Sequence, residues 1–283
     1  MKVSFSSWPY PQRVAHRGAG RHAPENTLAA LRVGWSSGYR MFEIDARLCG
    51  DGTVILLHDA RLERTTDGHG RAGDLPFAAL AGLDAGCRHA PFWTGEPIPT
   101  LERVGRWIVA NGGMLNIELK ASPGREREIG TAAAILARDL WRMAPVPPLL
   151  SSFSSRALAA ARARAPELPR ALLFEKLPDD WIERSRSLGC VAVNAHHSAW
   201  DAARIAEAHE AKLRALAYTV NDGGRIDELF AMGLDMLFTD EVSADQVSPD
   251  EVCTDGKGTG SAQAGRVVTG RQSVARTTAE GNH

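Results

Sequence analysis

Past Phe238 the chain contains no Leu, Ile, Phe, Met, Trp or Tyr. A segment of that composition cannot bury enough apolar surface to offset the entropy of ordering it, so residues 247–283 are expected to be a disordered tail. Excess charge of one sign is also missing. Thirty-three Lys and Arg stand against 34 Asp and Glu, a formal net charge of −1, which leaves no electrostatic case for nucleic acid or an anionic membrane. No apolar run approaches the roughly 20 residues of a membrane span. Residues 1–12 carry one Lys and no apolar stretch, so no secretory signal is expected there. The four cysteines, Cys49, Cys87, Cys190 and Cys253, are far apart and form no C-x-x-C pair. This argues against a zinc site and a disulfide framework and favours a reducing, cytoplasmic setting.

What is present centres on residues 41–59. Two short apolar runs flank a Gly50-Asp51-Gly52 turn, and the first carries Glu43 and Asp45. Positions i and i+2 of a strand point to the same face, so two carboxylates project side by side from an apolar strand. A solvated edge strand would also hold such a pair, but the flanks are too apolar for that. Buried like charges repel and lose hydration, and a cation between them neutralises both effects.

The rest of the chain alternates strand and helix patterns. Residues 13–15 read as a strand running into His16-Arg17-Gly18-Ala19-Gly20, where glycine lets the backbone turn close to a ligand. A helix follows with Leu28, Leu31 and Trp35 at helical spacing and Gly38 as its stop. Residues 60–99, rich in Gly, Pro, Arg and Asp, read as an insertion with one short helix near 76–84. Thr100 caps a helix through Ala110, and 114–120 is a strand alternating Leu115, Ile117, Leu119 with Asn116, Glu118, Lys120. Further strands are expected at 149–153, 171–174, 191–193, 213–220 and 236–238. Helices fall between them, one of them capped by Asn221-Asp222. Apolar strands alternating with helices imply a parallel sheet covered by helices, and about eight such units imply a (β/α)8 TIM-type barrel over residues 1–246. Nine strand patterns compete for eight places, and 236–238 or 171–174 is the expected outsider. An open doubly wound sheet is disfavoured because no G-x-G-x-x-G follows the first strand.

In a parallel barrel the strand C-termini converge on one rim. Those ends carry His16-Arg17, Glu43 with Asp45, His58-Asp59, and Glu118 with Lys120. Carboxylate-only ligation by Glu43, Asp45 and Glu118 favours a hard divalent cation, Mg2+ or Ca2+. Arg17 and Lys120 suit an anionic substrate, most simply a phosphate, although Lys120 could instead pair with Glu118. His16 and His58 suit general acid and base. Divalent cation, Arg and two His together describe phosphodiester cleavage. His22, His69, His89, His196 and His197 are read as structural.

At these residues the chain resembles the glycerophosphodiester phosphodiesterase family. The matching text is Val14-Ala15-His16-Arg17-Gly18, Ala23-Pro24-Glu25-Asn26-Thr27, Phe42-Glu43-Ile44-Asp45, Leu57-His58-Asp59 and Leu62-Glu63-Arg64-Thr65-Thr66. It continues through Asn116-Ile117-Glu118-Leu119-Lys120, Leu150-Ser151-Ser152-Phe153, Tyr218-Thr219-Val220-Asn221 and Phe238-Thr239-Asp240. The resemblance covers about residues 12–245 and looks closest to the cytosolic bacterial enzymes associated with glycerol 3-phosphate uptake. It implies a PLC-like barrel with a small insertion after the third strand. It implies metal binding by Glu43, Asp45 and Glu118, acid–base work by His16 and His58, and phosphate binding by Arg17 and Lys120. Glu25 and Asn26 would support the metal and the His16 loop, and Tyr218 would give an aromatic wall to the glycerol pocket. The implied reaction is hydrolysis of glycerophosphodiesters to sn-glycerol 3-phosphate and an alcohol. A lysophospholipase D acting on lysophospholipids and a catalytically silent phosphate-ligand binder are the alternatives. The oligomeric state is left open, and a homo-oligomer is admitted.

Overall fold

The computed structural model describes residues 8–242. The expected tail at 247–283 lies outside the described residues. The strands are β1 (Arg13–Ala15), β2 (Met41–Leu48), β3 (Val54–Leu56), β4 (Met114–Leu119), β5 (Leu149–Ser152), β6 (Arg170–Phe174), β7 (Ala192–His196), β8 (Arg214–Tyr218) and β9 (Met236–Thr239). The helices are α1 (Leu28–Ser36), α2 (Phe77–Leu80), α3 (Leu101–Ala110), α4 (Glu126–Leu140), α5 (Ser155–Arg164), α6 (Trp181–Ser187), α7 (Ala202–Glu210) and α8 (Gly223–Ala231). Several helices begin where a side-chain oxygen accepts an orphan backbone N–H, at Thr27, Thr100, Ser154, Asp201 and Asp222.

The sheet runs β1-β9-β8-β7-β6-β5-β4-β2, and β1 pairs back to β2, so eight parallel strands close into a barrel. The ninth strand is β3, which pairs antiparallel with β2. The expectation that 236–238 or 171–174 would lie outside was therefore wrong: β6 and β9 are both barrel strands, and 54–56 is the outsider. The reason is the Gly50-Asp51-Gly52 connection, which is too short for the crossover that a parallel neighbour requires. β2 overshoots the rim, turns, and comes back beside itself.

Strand alternation divides the core in two. Phe42, Ile44, Leu115, Ile117, Leu150, Leu172 and Val193 point outward and pack in the layer under the helices. Val14, Met41, Met114, Leu149, Ala171, Leu216, Met236 and Phe238 fill the barrel interior together with Tyr10. Inward positions nearer the C-terminal end of β2 and β4 are polar: Glu43, Asp45, Asn116 and Glu118. Apolar filling thus stops short of the rim, and polar side chains line what remains. Residues following β3 build a small lobe with its own core of Cys49, Ile55, Leu57, Leu62, Ala72, Leu80 and Ile98. Its only α-helix is the four-residue α2. No helix among the described residues is long and apolar enough to cross a membrane.

Candidate active site

Register brings the acids together. Asp45 of β2 pairs with Glu118 of β4, and Glu43 pairs with Asn116. One carboxylate oxygen from each of Glu43, Asp45 and Glu118 lies within 4.8 Å of the others. Their residues are only 3%, 1% and 8% exposed, so the charges have little access to bulk water. The β2–β3 hairpin adds the next group. The Leu57 N–H donates to the Asp45 carbonyl at 3.0 Å, which returns the chain to the level of the acids and delivers His58 to the rim. Arg47, on the overshooting part of β2, fixes that return by donating to the His58 carbonyl at 2.6 Å.

The loop after β1 supplies the opposite wall. Arg17 and Asn26 adopt left-handed backbone conformations, with φ of 52° and 61°. Such conformations are unfavourable for side chains other than glycine and persist only when neighbours hold them. Here the Arg17 N–H donates to Glu43 Oε2 at 3.1 Å, and the Asn26 N–H donates to the Arg17 carbonyl at 2.9 Å. Asn26 also clasps Asp45: its Nδ2 donates to Asp45 Oδ2 at 2.7 Å, and its Oδ1 accepts from the Asp45 N–H at 2.8 Å.

Each histidine has a carboxylate behind it. His16 Nδ1 donates to Asp240 Oδ1 at 2.7 Å, which leaves Nε2 facing Glu43 Oε2 at 3.7 Å. His58 Nδ1 donates to Asp59 Oδ1 at 2.7 Å. Asp59 is itself held by Arg64 Nε at 2.5 Å, and Arg64 grips Glu25 with two further nitrogens at 2.7 and 2.8 Å. Glu25 in turn accepts from Arg17 at 3.0 Å. A chain of alternating charge therefore runs from His58 to Arg17.

Proton affinities follow from these surroundings. Burial, with Asp45 beside it, pushes the Glu43 carboxyl up to about 8. Asp45 is equally buried, but Lys120 and Arg17 outweigh the burial and hold it down at about 2. Glu118 is raised by burial and by Asp45. Burial works to lower His16, yet the hydrogen bond to Asp240 and the charge of Glu43 raise it overall. His58 is lowered, first by burial.

The donor set fits a divalent cation. Glu43 Oε1 and Asp45 Oδ1 are buried without a hydrogen-bond partner. Buried carboxylate oxygens without a hydrogen-bond donor are costly unless a cation joins them. All-oxygen ligation suits Mg2+ or Ca2+. Lys120 takes part of this load, with Nζ at 2.7 Å from Glu118 and 3.3 Å from Asp45. The pairing of Lys120 with Glu118 that the sequence left open is thus present, and Arg17 Nε lies 3.4 Å from Asp45 Oδ2 as well. Above the acids opens a cavity of about 280 Å³ lined by His16, Arg17, His58, Lys120, Asn116, Asn194 and Tyr218 among others. A neighbouring hollow of about 470 Å³ shares His58, Glu118, Lys120 and Phe153 and extends to Arg47 and Pro123.

Residues 16–244 match the model of the glycerophosphoryl diester phosphodiesterase family. The chain belongs to this family. As a phosphodiesterase it is 33% identical over 234 residues to YhdW of Bacillus subtilis strain 168, covering 80% of this chain and 93% of that protein. It is 28% identical over 247 residues to a glycerophosphodiester phosphodiesterase of the same organism, covering 80% and 82%. Among solved structures, an Oleispira antarctica phosphodiesterase in complex with the product sn-glycerol-3-phosphate matches with TM-score 0.77 and 37% identity over 82% of this chain and 94% of that one.

The phosphodiesterase brings His16, Arg17, Glu43, His58, Glu118, Lys120 and Tyr218 to one cavity, with Asp45 in the same acidic group. Glu25 stands outside the clustered acids and accepts from Arg17, in the His16 loop, and from Arg64, whereas Asn26 touches Asp45 of the cluster. Asp240, Arg64 and Arg47 received no role from the sequence. Asp240 and Arg64 lie within quoted motifs, and their position beside an expected strand end or a site histidine was the available signal. Of the histidines read as structural, His196 ends β7 with its ring 6.0 Å from that of Tyr218 and its Nδ1 on Ser198.

Proposed function

We propose that this phosphodiesterase hydrolyses glycerophosphodiesters to sn-glycerol 3-phosphate and an alcohol, with a divalent cation, Mg2+ or Ca2+, at Glu43, Asp45 and Glu118. The observation that carries the reading is the convergence of three buried acids, two cations and two carboxylate-backed histidines on one cavity. The phosphodiesterase of Oleispira antarctica, solved with sn-glycerol-3-phosphate, supports the product assignment by similarity.

When bound, the metal supplies a Lewis acid that offsets charge on the phosphoryl oxygens. The protein's own groups do the rest. Arg17 and Lys120 hold the phosphate and stabilise charge that develops on its oxygens. Asp240 and Asp59 hold His16 and His58 with Nδ1 engaged, so each ring presents Nε2 to the cavity. One histidine takes the proton of the attacking hydroxyl, and the other protonates the departing alkoxide. The attacking hydroxyl belongs either to water or to the glycerol 2-position, which would give a cyclic phosphate that water then opens. Asn26 positions Asp45, and Glu25 and Arg64 position Arg17 and Asp59. A reducing compartment suits Cys49, Cys87 and Cys190, all of which are free thiols.

The test is release of sn-glycerol 3-phosphate from glycerophosphocholine, abolished by EDTA and restored by Mg2+, Ca2+ or Mn2+. Full activity after exhaustive chelation would remove the metal from the reading. Faster turnover of lysophosphatidylcholine would replace the substrate class. Phosphorus NMR of a single turnover separates the two nucleophiles, since only the glycerol route passes through a five-membered cyclic phosphate.

A further inference from the structure

Among the polar side chains of the cavity that the proposed chemistry does not use are two buried amides. Asn116 on β4 and Asn194 on β7 are 1% and 3% exposed, and both line the 280 Å³ cavity. Each keeps its amide oxygen buried and without a hydrogen-bond partner. The Asn116 amide is locked in that attitude, because its Nδ2 donates to Ser151 Oγ at 3.0 Å. A buried acceptor without a donor costs about 1–3 kcal/mol, so two of them on one cavity call for a ligand that brings donors. Apolar surface in the same cavity comes from Leu173, Phe238 and the ring of Tyr218, and Ser151, Glu175 and Thr219 line it as well. The Tyr218 hydroxyl is committed to the Phe174 carbonyl at 2.9 Å, so it offers the cavity a ring and not a free hydroxyl.

Acceptors beside apolar surface suit a short polyol, whose O–H groups donate while its C–H groups pack. They do not suit a second phosphate, which has acceptors only, nor an acyl chain, which would leave both amide oxygens dry. Arg17 and Lys120, to which the reading above gives the phosphate, line the same cavity, which sets an anion site beside these acceptors. We propose that Asn116 and Asn194 form a hydroxyl-reading subsite for the free hydroxyls of the glyceryl arm, which selects unacylated glycerophosphodiesters. The inference rests on the glycerophosphodiesterase reading above.

Asn116 lies beside Glu43 in the register, so its replacement also disturbs the acids. Asn194 lies three strands away from β4 in the sheet order and gives the cleaner variant. The experiment compares binding of sn-glycerol 3-phosphate and propyl phosphate by calorimetry, which share the phosphate but differ in the two hydroxyls, so the result does not depend on which hydroxyl attacks. The wild-type protein is expected to bind the glyceryl compound at least about 30-fold more tightly, and Asn194→Leu to reduce that preference to about threefold or less. Equal handling of the two compounds by the wild type, or an unchanged preference in Asn194→Leu and Asn116→Leu, would overturn the subsite. If no diester is cleaved at all, the parent reading fails, while the calorimetric comparison still decides the subsite.

Discussion

Asp240 Oδ1 and His16 Nδ1 lie 2.7 Å apart although 224 positions separate them in the chain. The contact forms because β1 pairs with β9, which sets the His16 loop beside the end of the last strand. Asn221 steadies the carboxylate, with Nδ2 donating to Asp240 Oδ2 at 3.1 Å and Oδ1 accepting the Asp240 N–H at 2.8 Å.

Replacing Asp240 by Asn keeps the shape but removes the charge behind His16. A loss of about 10- to 1,000-fold in kcat is expected with little change in KM. Because the Asp240 hydrogen bond raises the His16 pKa against the effect of burial, its loss moves the His16-dependent limb of the pH–rate profile to lower pH. A profile superimposable on the wild type would show that Asp240 serves packing only.

Without metal, the raised Glu43 carboxyl makes stability fall with pH. Its folded value near 8 stands against an ordinary 4.5, so the folded chain keeps a proton that the unfolded chain has released. That contribution is complete below about 4.5 and is lost as pH rises through about 8. Asp45, held at about 2, stays charged throughout and adds no slope in this window. Thermal unfolding in EDTA should therefore show Tm dropping by roughly 3–8 °C between about pH 6 and 8. Added Mg2+ or Ca2+ displaces the proton, so stabilisation by metal grows over the same range. Glu118 and His16 are raised as well and add to the same fall, so Glu43→Gln should make both trends shallower, and a rising metal-free Tm would contradict the buried-acid account.

Arg64 joins Asp59 and Glu25, and through them His58 and Arg17. Its side chain is 47% exposed, so its contribution to stability is small, within about 1 kcal/mol. Arg64→Ala is expected to lower kcat/KM by about 10- to 100-fold while Tm stays within a few degrees. Asp59→Asn in that background should add less than its own single effect, as for partners in one network. Full additivity in the double-mutant cycle would mean the two residues act separately.

Gly20 adopts φ of 54°, and a Cβ placed there would lie 2.1 Å from the Asp240 carbonyl oxygen. Gly20→Ala combines a left-handed backbone cost with a backbone clash, so a loss of at least about 2 kcal/mol is expected. Activity should fall with stability, because the displaced segment carries the partner of His16. Urea denaturation checks the first effect, and a variant as stable as the wild type would refute the close approach.

Much of the site was legible because strand alternation is a local rule. Glu43 with Asp45, and Asn116 with Glu118, share faces through spacing alone, and Thr100, Ser154 and Asp222 announce their helices by chemistry that acts within one turn. The barrel strands were harder to tell from their neighbour. Residues 54–56 have the same apolar pattern as 236–238, and only pairing direction distinguishes them. A short Gly-rich turn makes an antiparallel partner, and a helical crossover makes a parallel one.

By itself the sequence determined the alternation of elements, the inward carboxylates and the side-chain types available at the rim. These depend on spacing over a few residues and on composition. Tertiary structure alone decided which acid stands behind which histidine, that Arg64 bridges two acids, and that Asn116 and Asn194 face one cavity. Those relations depend on closure of the barrel, where strand register across distant parts of the chain places one side chain within hydrogen-bonding reach of another.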